Sequence, residues 1–148
     1  MIRIYLDNCC LNRLFDDQSQ ARIRLESEAV ALVLLHVQQK AWVWVGGDVL
    51  DWEVVRTPDP ERRAKLSLLL GSIHDRIPVT GAIRQRAKGL VRLGFKGRDA
   101  LHVASAETGG VDALLTTDDD LQRKAPKARR SLRVKVLNPT EWVRGVIE

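Results

Sequence analysis

The chain has 148 residues, is 45% hydrophobic and 29% charged, and carries 24 Lys and Arg against 19 Asp and Glu. That balance fits one globular domain over residues 1–148 and leaves too little chain for two independent cores. The net charge of +5 and a pI near 9.6 suit an anionic partner such as nucleic acid. The only cysteines, Cys9 and Cys10, are adjacent, so no spaced disulfide framework exists and a reducing compartment is expected. The apolar run at the N-terminus is too short for a signal peptide, and no stretch is long enough to span a membrane. A cytoplasmic location follows as an expectation.

Ile2 to Leu6 is a short apolar-rich run ended by Asp7, and it predicts a buried strand. Leu11 to Phe15 predicts a helical turn, with Asp16 to Ser19 as break and cap. From Ala21 to Gln39 the apolar residues follow helical spacing, which predicts a long amphipathic helix. Trp42 to Val45 is aromatic and β-branched and stops at Gly46-Gly47, a second strand. Asp48 is a candidate cap for a helix from Val49 to Arg56. Pro60 opens another helix, continuing from Glu61 to Ser72. Arg76 to Val79 suits a short edge strand, since Pro78 fits poorly inside a sheet. Thr80 caps a helix to about Leu93, and Arg98 to Glu107 forms an alanine-containing apolar helix ended by Gly109-Gly110. Asp112 to Thr117 predicts a strand running into Asp118-Asp119-Asp120. A short helix from Leu121 to Ala125 should break at Pro126. Leu132 to Leu137 alternates as the last strand, and Asn138-Pro139-Thr140 starts a final short helix carrying Trp142. Strands alternating with helices predict an α/β fold: a parallel sheet of about four to five strands covered on both faces.

In open parallel sheets, ligands bind beyond the carboxyl ends of the strands. Asp7 and Asp118 fall at such ends. Glu53 and Asp99 lie on helices able to face the same crevice. An Asp at a helix start also serves the helix dipole without any further task. Asp99, however, opens a nearly wholly apolar helix, and a buried acid is costly unless paired or metal-bound. Two carboxylates at about 4 Å repel by about 4 kcal/mol at an effective dielectric of about 20, a cost that a cation removes. All-oxygen ligands favour Mg2+ or Mn2+ over zinc or copper. His36, His74 and His102 show no metal-ligand spacing.

Three segments taken together resemble a PIN domain: Ile4-Tyr5-Leu6-Asp7-Asn8-Cys9-Cys10-Leu11-Asn12-Arg13, Asp99-Ala100-Leu101-His102-Val103-Ala104-Ser105-Ala106, and Leu114-Leu115-Thr116-Thr117-Asp118-Asp119-Asp120-Leu121. The likeness covers essentially the whole chain, and at this size it is similar to the VapC-type toxin ribonucleases of toxin–antitoxin pairs. The resemblance implies a three-layer PIN-like sandwich in which Asp7, Glu53, Asp99 and Asp118 hold Mg2+ or Mn2+, with Asp120 a further ligand. It implies hydrolysis of RNA phosphodiesters, a cognate antitoxin and a homodimer. The family usually has Ser or Thr where this chain has Asn8, which can still donate a hydrogen bond. Family position favours Glu53 over Asp48 and Asp51 as second acid, and Asp118 over Asp119.

Thr116 is placed to bind a carboxylate, a metal-bound water or phosphate. Arg13 and Arg98, beside the acids, suit either phosphate steering or a carboxylate partner. Cys9 and Cys10 read as structural thiols and His102 as a satisfied structural histidine. Trp42 and Trp44 share a strand face and read as core or dimer packing rather than base stacking. The run Lys124, Lys127, Arg129, Arg130, Arg133 and Lys135 suits solvent or phosphate contact equally. Two rivals remain: a catalytically silent RNA-binding or scaffold protein of the same fold, and a phosphotransfer receiver. The receiver needs a lysine at a late strand end, where this chain has Asn138-Pro139.

Overall fold

A computed structural model describes residues 1–147. Its strands are β1 (Ile2–Leu6), β2 (Trp42–Gly47), β3 (Asp75–Ile77), β4 (Ala113–Leu115) and β5 (Lys135–Leu137). They form one parallel sheet in the order β3-β2-β1-β4-β5. The helices are α1 (Asn8–Arg13), α2 (Ala21–Gln38), α3 (Asp48–Val55), α4 (Pro60–Leu70), α5 (Gly81–Arg92), α6 (Gly97–Thr108), α7 (Asp119–Lys127) and α8 (Pro139–Ile147). This is the expected α/β, PIN-like arrangement of a parallel sheet flanked by helices.

The chain first builds outward from β1 through β2 to β3, then returns to add β4 and β5 on the other side. The order therefore reverses between β1 and β4, and a crevice opens at the carboxyl ends of such a neighbouring pair. Ile4, Tyr5, Leu6, Trp44, Leu114 and Leu115 are fully buried, as central parallel strands require. In α6, Ala100, Val103, Ala104 and Ala106 are buried, their small side chains lining the buried face of the helix. Gly47 has a positive φ of 153°, and a Cβ there would lie 2.2 Å from the Ile77 carbonyl oxygen.

Several boundaries differ from expectation. β2 continues through Gly46-Gly47 because both glycines pair with β3, in register with Arg76 and Ile77. β3 therefore starts at Asp75, and Pro78 lies outside the ladder. The last strand is only Lys135–Leu137, since Arg129–Ser131 coils into a 3-10 turn first. Pro126 does not end α7. It sits one residue before the helix terminus, so only the Gln122 carbonyl loses its intrahelical partner, and the helix runs on to Lys127. Asp48 does not cap α3. It is the first helical residue, and its Oδ2 accepts the Val79 N–H at 2.9 Å, tying α3 to the segment after β3. The cap expected from Asp16 to Ser19 is also absent: Gln20 precedes α2 without a side-chain bond, while Asp17 folds back on Ser19. Thr80 does cap α5, its Oγ1 accepting the Ile83 N–H at 3.2 Å.

Candidate metal centre

Asp7 follows β1 directly. Its backbone N–H donates to Leu115 O at 2.9 Å, so the β1–β4 ladder holds the residue in place. Thr116, one residue beyond β4, donates from Oγ1 to Asp7 Oδ2 at 2.9 Å and accepts the Asp118 N–H at 3.1 Å. One hydroxyl thus sets two acids relative to each other. Asp118 is the N-cap of α7, with Oδ1 accepting the Leu121 N–H at 3.0 Å. Asp99 lies in the first turn of α6 and is 2% exposed, with its Oδ2 buried and unpartnered.

Glu53 projects from α3 into the same crevice, where its Oε1 meets His102 Nε2 and its Oε2 lies 3.4 Å from Arg98 Nε. Asp51, its rival two residues earlier, turns away and pairs with Arg76 at 2.9 Å. Asp119 is likewise outside, held by Arg22 at 2.7 Å. Asp120 is on the rim, with Lys124 at 2.8 Å, Arg123 at 2.5 Å and Lys96 at 3.8 Å. Lys124 foremost holds the Asp120 carboxyl below the ordinary range.

The structure therefore brings the expected acids together, in two groups of three. Asp7, Glu53 and His102 form one, and Asp99, Asp118 and Asp120 the other; in each, ligand atoms lie within 4.8 Å of one another. His102 is the member that sequence reasoning left out. Its position three residues after Asp99 was the available signal, but the ring turns to Asp7 and Glu53 rather than to Asp99. Asn8 lines the crevice with its Oδ1 buried and unpartnered, and Arg98 stands beside it. Arg13 takes the carboxylate office rather than the phosphate one, bonding Glu26 at 2.9 Å and Asp16 at 3.1 Å. Cys9 Sγ accepts the Thr117 N–H at 3.3 Å, and Cys10 Sγ donates to Leu115 O at 3.3 Å, as structural thiols do.

The electrostatics are those of a cluster of mutually repelling acids. Burial first, then the charges of Asp7 and Asp118, push the Asp99 carboxyl up to about 6. Burial pulls the His102 imidazole down, but Asp7, Glu53 and Asp99 together outweigh it and its pKa lies above the ordinary value. The donor set suits a hard divalent cation: carboxylate oxygens dominate, and the one imidazole is already engaged on both nitrogens.

A family model described as PIN domain matches residues 4–127, which include Asp7, Glu53, Asp99 and Asp118. The chain belongs to the PIN domain family. Among solved structures, this PIN domain is similar to the crystal structure of FitAcB from Neisseria gonorrhoeae, with a TM-score of 0.57 and 15% identity over 92% of this chain and 97% of that one. At that identity the likeness speaks for the fold. No curated protein matches the chain. No described helix of the PIN domain is long and apolar enough to cross a membrane.

Proposed function

We propose that the chain is a metal-dependent endoribonuclease that hydrolyses RNA phosphodiesters, and that it is the toxin of a toxin–antitoxin pair. The observation that carries the reading is the buried, unpartnered Asp99 Oδ2 beside the charges of Asp7 and Asp118, next to a crevice lined by Asp7, Glu53 and Asp118. Such an arrangement is unfavourable by itself and becomes favourable around a divalent cation. Membership of the PIN domain family supports nuclease chemistry. Asp7, Glu53, Asp99 and Asp118 would hold Mg2+ or Mn2+, with Asp120 a ligand once Lys124 releases it. Such an ion, when bound, acidifies a water into a nucleophile and neutralises charge on the phosphoryl group.

The remaining roles fall to residues around the acids. Thr116 fixes Asp7 against Asp118. Asn8 lines the crevice with its Oδ1 unpartnered, an acceptor suited to a water or a substrate hydroxyl. Arg98 is largely exposed and stands at the mouth, where its guanidinium suits an RNA phosphate. The net charge of +5 supports a polyanionic substrate.

The test is cleavage of total RNA by the purified protein in Mg2+, Mn2+ or chelator, beside Asp7→Asn and Asp99→Asn. Metal-dependent cleavage lost in both variants is expected. Cleavage that survives chelation, or survives in both variants, overturns the proposal. RNA binding without turnover would instead favour the silent RNA-binding or scaffold reading, for which Glu53 being engaged by His102 and Arg98 is the supporting observation. A cognate antitoxin should co-purify with the chain when the adjacent gene is co-expressed, and should silence it. Leu25, Leu32 and Leu35 are exposed along α2, and Leu68 on α4, which supports a homodimer. Light scattering should give twice the 16.7 kDa chain mass.

A further inference from the structure

His102 lies behind the crevice with no exposed surface, yet it is not an isolated core histidine. Its Nδ1 lies 2.7 Å from the hydroxyl of Tyr5, itself fully buried on the central strand β1. Its Nε2 bonds Glu53 Oε1 and lies 3.4 Å from Asp7 Oδ1. The two rings meet edge to face at 5.5 Å, so packing as well as hydrogen bonding fixes the imidazole.

The partners settle the proton. An ionised carboxylate only accepts hydrogen bonds, so the nitrogen facing two carboxylates must donate. Nε2 therefore carries a hydrogen and has no lone pair for a cation. Nδ1 faces a hydroxyl, which can donate to it or accept from it, so this assignment does not depend on whether the ring is neutral or charged. The ring is anchored on β1 through Tyr5, and it reaches an acid at the end of the same strand and an acid from α3. Among the described residues Glu53 has no other rigid attachment: its second oxygen faces the largely exposed Arg98.

We propose that His102 is a positioning residue, a proton-bearing tether from Tyr5 that holds Glu53 against Asp7 and is not itself a ligand of the metal. The proposal rests on the metal-site reading and adds the part that holds the α3 carboxylate in place. Partners that orient ligands from behind typically govern metal affinity by about tenfold to a hundredfold. Glutamine at this position places an amide N–H near the location of Nε2–H, whereas asparagine is too short and leucine fills the space without a donor.

The experiment is Mn2+ titration of the full chain by isothermal calorimetry, with pulsed EPR of bound Mn2+. It compares wild type, His102→Gln, His102→Leu and His102→Asn, each checked by circular dichroism. Wild-type protein that binds no Mn2+ sinks the metal-site reading itself, and the tether with it. Given wild-type binding, we expect Mn2+ affinity to fall at least about tenfold in His102→Leu and His102→Asn, and to return within about threefold of wild type in His102→Gln. No histidine nitrogen coupling to Mn2+ is expected in the wild-type EPR spectrum. A histidine nitrogen coupling makes His102 a ligand and overturns the tether. So does affinity in folded Leu or Asn variants equal to wild type, or a Gln variant no better than Asn. If the leucine variant does not fold, the Asn and Gln pair decides.

Discussion

Two acids in this molecule are equally buried and live opposite lives. Glu26 on α2 and Asp99 on α6 are each 2% exposed. Glu26 accepts from Arg13 Nε at 2.9 Å, from Arg22 Nε at 3.4 Å and from Asn138 Nδ2 at 2.6 Å. Its charge is matched by two guanidinium groups, and it joins α1, α2 and the start of α8. Asp99 has an orphan oxygen, and its nearest charged neighbours include Asp7 and Asp118. Burial alone therefore says little about purpose. What separates a structural acid from a candidate ligand is whether the fold supplies its counter-charge.

The largest expected effect breaks the comparison in activity. Asp99→Asn should cut metal-dependent RNA cleavage at least about a hundredfold, since a lost ligand should cost no less than a lost supporting contact. Glu26→Gln should leave turnover per folded molecule near wild type. Single-turnover cleavage rates, corrected for the folded fraction, check both. Equal losses in the two variants would erase the distinction.

Stability should run the other way. Glu26→Gln removes a buried charge from two arginines, and we expect about 2–3 kcal/mol of destabilisation in urea titration, below the usual cost for a broken buried pair because Arg13 keeps Asp16. In metal-free protein Asp99→Asn should stabilise. The folded carboxyl is raised to about 6 from 3.8, so the folded state binds that proton more tightly than the unfolded chain does. Ionised Asp99 is thus a cost above pH 6, and falling pH relieves it between about 6 and 4. The gain from Asp99→Asn at pH 7.5 should be about 1–2 kcal/mol after discounting for solvent at the open side, and should shrink towards zero by pH 4. Urea midpoints at the two pH values provide the measurement, and a gain that grows on acidification would contradict the sign.

Thr116→Val tests how much the geometry between Asp7 and Asp118 matters. The change removes one donor and one acceptor while keeping shape. A loss of about 1–2 kcal/mol in stability is expected, along with reduced cleavage, because Asp7 Oδ2 and the Asp118 N–H both lose their partner. Full activity in Thr116→Val would show that the ladder alone positions these acids.

Much of this was readable before any coordinates. Asp7 is marked by an apolar strand that ends on it, and Asp118 by a strand followed by a capping acid, both signals being local. Asp99 stands out because Ala100, Leu101, Val103, Ala104 and Ala106 follow it in the same helix. Two of the misses depend on residues distant in the chain. His102 is tied to Tyr5, 97 positions away, and to Glu53, 49 away. Asp48 looks like a cap until Val79 arrives to take its oxygen. Pro126 is a local miss: the helix runs one residue past it, to Lys127.

The smallest effect expected is also the one that decides the least secure acid. Asp48, Asp51 and Glu53 could not be separated by composition, and only resemblance favoured Glu53. The structure turns Asp51 to Arg76 on the surface, where both partners keep more than a third of their side-chain area in water. An exposed pair of that kind contributes about 0–1 kcal/mol. Asp51→Asn should therefore leave cleavage unchanged and shift the urea midpoint only slightly. Glu53→Gln keeps the helix and its packing but halves the charge that the Asp7 group offers a cation, so Mn2+ binding should weaken while α3 stays folded. If Asp51→Asn instead loses activity and Glu53→Gln keeps it, the second acid is Asp51, and α3 must turn by roughly two residues' rotation to bring it into the crevice.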